Sequence, residues 1–383
     1  MIKQIFPTFL GLCARLGGTC VGAKRMKLPR HISLALVTSL GLAGVASAQM
    51  SIKAGTNPRA VAINPVTNKI YVVNVDSANV TVIDGTNHST ATVAAGVAPI
   101  AVAINAVTNK IYVANSSSGD ITVIDGTNHS VTTVTAGTNP FSVAVNPVTN
   151  KIYVANLHSA DVTVIDGANN SVKTVAVGTT PYAVAVNPVT NKIYVANYSS
   201  NNVTVIDGAN NSVTTVAAGA NPFALAINSV TNKIYVANVN SGNVTVINGS
   251  NNRVTTIAAG TTPNCLAINS ATNKIYVANY GSNNVTVIDG ANNGAKTMAA
   301  GANPYAVAVN SVTNKIYVPH YSGNSVAVID GANNSVVETV SVGTNPAAIA
   351  INPVSNKIYV ANVSSNNLTV IDPAPSAYER RPH

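Results

Sequence analysis

The sequence predicts an all-β fold, a propeller of four-stranded antiparallel blades, and three observations predict it. First, Asn-Lys-Ile-Tyr-Val recurs eight times, placing tyrosines at Tyr71, Tyr112, Tyr153, Tyr194, Tyr235, Tyr276, Tyr317 and Tyr359, 41 residues apart six times and 42 once. A fixed period of this length marks units that cannot bury their apolar faces alone and must stack on neighbours. Second, each unit holds four short runs rich in Val, Ile, Thr and Tyr, separated by turn residues. Third, the residues before the first unit supply a run that the last unit lacks.

The unit starting at Gly178 shows the elements in order. Its runs are Ala183–Val186, Lys192–Ala196, Val203–Ile206 and Ser212–Ala217, with Asn-Pro, Asp-Gly and Asn-Asn between them. No stretch has helical periodicity long enough to compete. The Ala- and Val-rich first run suits an inner strand crowded at an axis, and the Ile- and Tyr-bearing second run suits a widening wedge. The Asp-Gly pair reads as a hairpin turn.

The ends of the array predict its closure. Unit eight stops after Leu368–Ile371, without a fourth run, while Ser51-Ile52-Lys53-Ala54-Gly55 matches the fourth-run segment Thr92-Val93-Ala94-Ala95-Gly96. The N-terminal strand is expected to complete the last blade and remove the exposed edges. Eight blades result, with seven plus one displaced unit as the alternative.

Residues 1–48 stand apart from the array. Lys27 and Arg30, the apolar stretch Ile32–Val45 and Ala46-Ser47-Ala48 read as a secretory signal cleaved after Ala48, with Met26 as a candidate true start. The apolar stretch is short for a membrane span, which takes about 20 residues. The domains are therefore a leader at 1–48, a single propeller at 49–372 and a disordered tail at 373–383. Without its leader the chain keeps 15 Lys+Arg against 12 Asp+Glu, mostly spread once per unit. That even spread argues against a basic nucleic-acid stripe. Cys13 and Cys20 belong to the leader, so Cys265 has no partner for an intramolecular disulfide.

The run Asn-Lys-Ile-Tyr-Val-Ala-Asn, preceded by Asn-Pro-Val-Thr and followed by Val-Thr-Val-Ile-Asp, resembles the YVTN family of β-propeller repeats over residues 50–372. Most units have Tyr-Val-Ala-Asn where the family name implies Tyr-Val-Thr-Asn, and Tyr317-Val318-Pro319-His320 departs further. The resemblance implies a propeller related to surface-layer proteins, periplasmic proteins (some reported to bind DNA) and 6-phosphogluconolactone lactonases. Such a range leaves the activity open.

Comparison of the units separates scaffold from candidate site. The Asn-Pro-Val-Thr-Asn-Lys and Asp-Gly-Ala-Asn-Asn turns barely vary and should share one end of the ring. The other end varies at two positions per unit. The residue after the repeat Pro is Arg59, Ile100, Phe141, Tyr182, Phe223, Asn264, Tyr305 and Ala347; the turn after the second run begins with Val75, Ser116, Leu157, Tyr198, Val239, Tyr280, Tyr321 and Val363. Seven aromatics fall there, in units three to seven, and predict an arc: Phe141, Tyr182, Tyr198, Phe223, Tyr280, Tyr305 and Tyr321. Tyrosine suits recognition because it offers area and a polar tip at little entropy cost. Packing between blades is the competing role for these rings. Arg59 and His320 complete the candidate ligand-binding set.

Catalytic material is sparse. Beyond the repeat aspartates, His158, His320, Asp76, Asp120 and Asp161 lie at the variable end, and the only glutamates are Glu338 and Glu379. Arg59, Asp76 and His320 are the candidates for lactonase-like chemistry in the sector where the ring closes. His88 and His129 replace the second Asn of an Asn-Asn turn. No Cys/His spacing for a metal or haem is present. The expectation is a monomeric, secreted or periplasmic, non-enzymatic propeller without cofactor or metal. It would bind a glycan, a peptide or another extended extracellular ligand, or mediate cell-surface contact. A lactonase-like hydrolase and a single-stranded nucleic-acid binder are the alternatives.

Overall fold

The computed structural model describes residues 47–373. The leader through residue 46, including Met26, and the tail from residue 374 lie outside the described residues. Thirty-two strands form eight four-stranded antiparallel sheets, and no helix occurs among the described residues. Blade four is typical, with Pro181–Asn187 innermost, then Lys192–Asn197, Asn202–Asp207 and Val213–Ala217. Its inner strand is longer at both ends than the run Ala183–Val186 suggests.

The eighth blade closes the ring. Ala48–Lys53 pairs with Asn367–Asp372, matching Ser51 to Thr369, Ile52 to Leu368 and Lys53 to Asn367. In blade one the same register matches Thr92 to Thr81, Val93 to Val80 and Ala94 to Asn79. The ring therefore has eight blades, and the seven-blade alternative falls.

Each core cluster lies between two blades. Tyr153 and Ala155 of blade three meet Ile193 and Val195 of blade four, with Val162, Val164, Val184 and Ile206 around them. Side chains of a strand alternate between its faces. The second strand therefore sends Tyr and Ala towards the following blade and Ile and Val towards the preceding one. Ile193, Tyr194, Val195 and Ala196 are all fully buried, which is why this run reads as continuously apolar. Burial, and secondly Asp125 of the next blade, pushes the Tyr71 hydroxyl up to about 12. Tyr276 hydrogen bonds through its hydroxyl to Asn334 of the next blade, at 3.4 Å.

The constant end is tied together by asparagines. The asparagine that ends each inner strand, or in blade eight directly follows it, donates its amide to the turn asparagine of the following blade: Asn64 to Asn109, Asn105 to Asn150, Asn146 to Asn191, and so on to Asn352, which returns to Asn68. The same Asn64 accepts from the backbone N–H of Val66 and so caps its own turn. Lysines add a second tie, as when Lys233 Nζ donates to the Gly290 carbonyl of the next blade at 2.6 Å. Blade eight has Pro373 where the others have that glycine, and Lys315 instead pairs with Asp330 of its own blade at 2.8 Å.

The Asp-Gly turn works differently from a two-residue hairpin. The left-handed residue is His88 (φ 62°), or its counterpart Asn170 (φ 61°), three positions beyond the glycine. Glycine is required because a Cβ on Gly85 would lie 2.4 Å from Asn68 Oδ1. This contact, with the Gly85 N–H donating to the Asn68 carbonyl, puts both constant turns at one end.

Candidate functional site

At the opposite end, the residue after the repeat proline sits on a β-bulge. In blade four Pro181 pairs with Asn197 and Ala183 with Ala196, so Tyr182 has no partner of its own. The same shift occurs at Arg59, Ile100, Phe141, Phe223, Asn264 and Ala347. A bulged residue is released from the ladder and re-aimed, and bulges recur beside active sites for that reason. Blade seven goes further: its inner strand shrinks to Ala308–Asn310, and Tyr305 is held by its N–H on the Pro319 carbonyl.

The second variable position is brought alongside. The Tyr198 N–H donates to the Thr180 carbonyl just before Pro181, and Tyr321 is held equivalently by Asn303. Beneath this turn, Asn197 donates its amide to Asn202 Oδ1 (2.7 Å) and Thr204 Oγ1 (2.9 Å). Asp120 and Asp161 occupy the Asn202 position in their blades and accept the corresponding bonds from Asn115 and Asn156, both at 2.6 Å. These two carboxylates pin turns, which removes them from the pool of catalytic acids.

Ring contacts join the seven aromatics in two groups. Tyr182 lies between Phe141 (centroids 4.6 Å apart) and Phe223 (4.1 Å), with Tyr198 at 5.9 Å. In blades six and seven, Tyr305 packs against Tyr280 (6.1 Å) and Tyr321 (5.2 Å). All seven are half-buried. Between the groups in ring order stands Asn264. Its Nδ2 donates to the Tyr305 carbonyl at 3.0 Å, while its Oδ1 is buried without a protein donor. Sequence reasoning passed over Asn264; the signal was its position, an amide where the flanking units carry Phe and Tyr.

Electrostatics tie the groups to blade one. Burial first, then Tyr305 and Tyr198, push the Tyr182 hydroxyl up to about 12, against an opposing pull from Arg59. Arg59 Nε donates to Asn57 Oδ1 at 3.0 Å, and Asn57 donates its amide to Asp76 at 3.2 Å. Arg59 and Asp76 thus share one asparagine.

His320 is buried. It ends the second strand of blade seven, where every other blade has the buried asparagine, and is only 4% exposed. Its Nδ1 lies 3.1 Å from Ser325 Oγ, and Ala327 stands where the other blades have threonine. Gly301 (φ 98°) covers the ring: a Cβ there would come within 2.2 Å of it. Burial lowers the imidazole pKa to about 4. His320, a member of the candidate ligand-binding set, thus replaces a structural asparagine and is buried. It lines a cavity of about 310 Å³ walled by Ala300, Gly323 and Thr339. His158 is an exposed turn residue bordering a shallow serine-lined groove. Among the described residues no group of three metal-ligating side chains occurs.

Comparisons with known proteins place this geometry. No family model matches the chain, and no curated protein does. Hydrazine synthase of Kuenenia stuttgartiensis matches with 19% identity over 85% of this chain and 98% of that one, at a TM-score of 0.60. Sqt1 of Saccharomyces cerevisiae matches with 10% identity over 86% of this chain and all of that one, at 0.75. The likeness is one of fold. At such identities a shared propeller carries no shared site.

Proposed function

We propose that this chain is a YVTN-type propeller, secreted or periplasmic, that binds an extended ligand of glycan or peptide type at its variable end without chemically altering it. The observation that carries this reading is the concentration of aromatic side chains at the variable end, three of them (Phe141, Tyr182 and Phe223) on bulged positions and the others on the adjoining turns and the loosened inner strand of blade seven. Asn264 adds a buried acceptor between the two aromatic groups, and Arg59 adds a cation. Rings with an interspersed amide and a guanidinium suit ligands that alternate apolar and polar surface.

Titration of glycan and peptide libraries against the purified chain tests this, with Asn264→Ala and Tyr305→Ala alongside. Affinity should fall at least about tenfold in each variant, a loss of roughly 1.4 kcal/mol. Equal binding by wild type and both variants would sink the reading. Binding that falls steeply with salt would favour single-stranded nucleic acid instead. The lactonase alternative loses support because its third group, His320, is buried and bonded to Ser325; lactone opening by the purified chain would revive it.

The leader pattern supports export. Cleavage after Ala48 leaves Gln49–Lys53 of the closing strand and removes Ser47, whose N–H and hydroxyl donate to Glu338. N-terminal sequencing of exported protein should begin at Gln49.

A further inference from the structure

The constant end carries an apolar ring that the scaffold does not explain. Val66, Val107, Val148, Val189, Val230, Val312 and Val354 occupy equivalent turns and are 60–81% exposed; in blade six the position is Ala271. A turn residue this exposed has no packing reason to be β-branched and apolar. Common repeat ancestry does not account for it alone. The position just before has diverged to Pro, Ala and Ser, while valine persists in seven units of eight.

Three features make the ring a surface. The asparagine circle ties each valine-bearing turn to the next and caps it, so the valines are held in place before any partner arrives. The flanking positions are Pro, Ala or Ser on one side and Thr or Ser on the other, with no charge among them. Of the eight repeat lysines, five reach glycine carbonyls of the following blade, and Lys315 and Lys357 pair with aspartates of their own blades. A whole valine side chain presents roughly 60–120 Å², so seven at this exposure offer roughly 300–600 Å². With the prolines beside them, this approaches the ~800 Å² per partner of a standard interface.

We infer that the constant end is a self-association face, on which a second copy of this chain docks ring to ring as a two-fold dimer. A surface repeated around an axis is matched most completely by itself, and an isologous contact uses the same patch on both copies. The dimer would turn both variable ends outward, giving a bivalent molecule.

Sedimentation of the purified chain over a concentration series tests this, beside the triple variant Val148→Asp, Val189→Asp, Val230→Asp and the opposite-end variant Tyr305→Ala. Wild type and Tyr305→Ala should form dimers. The triple variant should associate at least about tenfold more weakly while keeping its melting temperature, since exposed turn positions carry little stability. A wild type that stays monomeric throughout overturns the inference. So does a dimer that survives the triple substitution, or a monomeric chain whose valine ring captures lipid vesicles.

Discussion

The two ends of the ring solve the same geometric problem in opposite ways. At the constant end each blade repeats one set of contacts, an asparagine amide passed to the next turn and a glycine pressed against an asparagine. At the variable end the strands also meet in hydrogen-bonded turns, but in seven of the eight blades one residue is lifted out of the ladder on a bulge. The constant end shows that closing the ring needs small polar residues. The variable end shows that the same backbone, once bulged, tolerates Arg, Ile, Phe, Tyr, Asn or Ala. Function is more readily placed where identity is free.

The sharpest way to break this contrast is to attack the core that both ends share. Tyr194→Ala should cost about 3–5 kcal/mol, read as a lower denaturant midpoint, because a fully buried ring between two blades leaves a cavity. Next is His320, a buried position at which blade seven departs from the pattern. The His320 pKa is about 4 in the fold and about 6.5 when unfolded, so its stabilisation is complete above pH 6.5 and is lost as pH falls towards 4. The loss should reach about 3 kcal/mol in acid melts. The triple change His320→Asn, Ser325→Asn, Ala327→Thr, which restores the pattern of the other blades, should abolish that component. His88 and His129, also lowered chiefly by burial, would keep their share.

Cutting one link of the amide circle should weigh less. Asn187→Ala removes a donor to Asn232 and the acceptor capping Val189, for a loss of about 1–3 kcal/mol by urea titration. The smallest expected effect on stability is at the variable end, where Tyr321→Ala should cost about 1 kcal/mol for a half-buried tilted ring pair. If Tyr321→Ala cost as much as Tyr194→Ala, the aromatics would be core, and the distinction between the ends would collapse.

The architecture was legible because repetition supplied eight readings of one unit. The closing strand could even be placed in register, since Ser51-Ile52-Lys53 repeats the chemistry of Thr92-Val93-Ala94. The bulge was not legible. It exists only in the offset between Pro181 and Ala183 against their partners, which no linear spacing records. Gly85 looked like a hairpin residue because its packing against Asn68, 17 positions earlier, is a tertiary contact. His320 looked like a loop residue because the sequence does not show that Gly301 lies over it. Asn264 was not singled out because its bond to the Tyr305 carbonyl is visible only in three dimensions.

The strand that closes the ring has a mechanical consequence. Gln49 pairs with Ile371, so the N-terminal segment left by cleavage and the C-terminal segment lie at the same end of one antiparallel pair. Tension between those segments would load the pair's hydrogen bonds one after another, as a zipper is pulled, instead of shearing them together. Under force, blade eight should open first and the other seven should follow in turn from that breach.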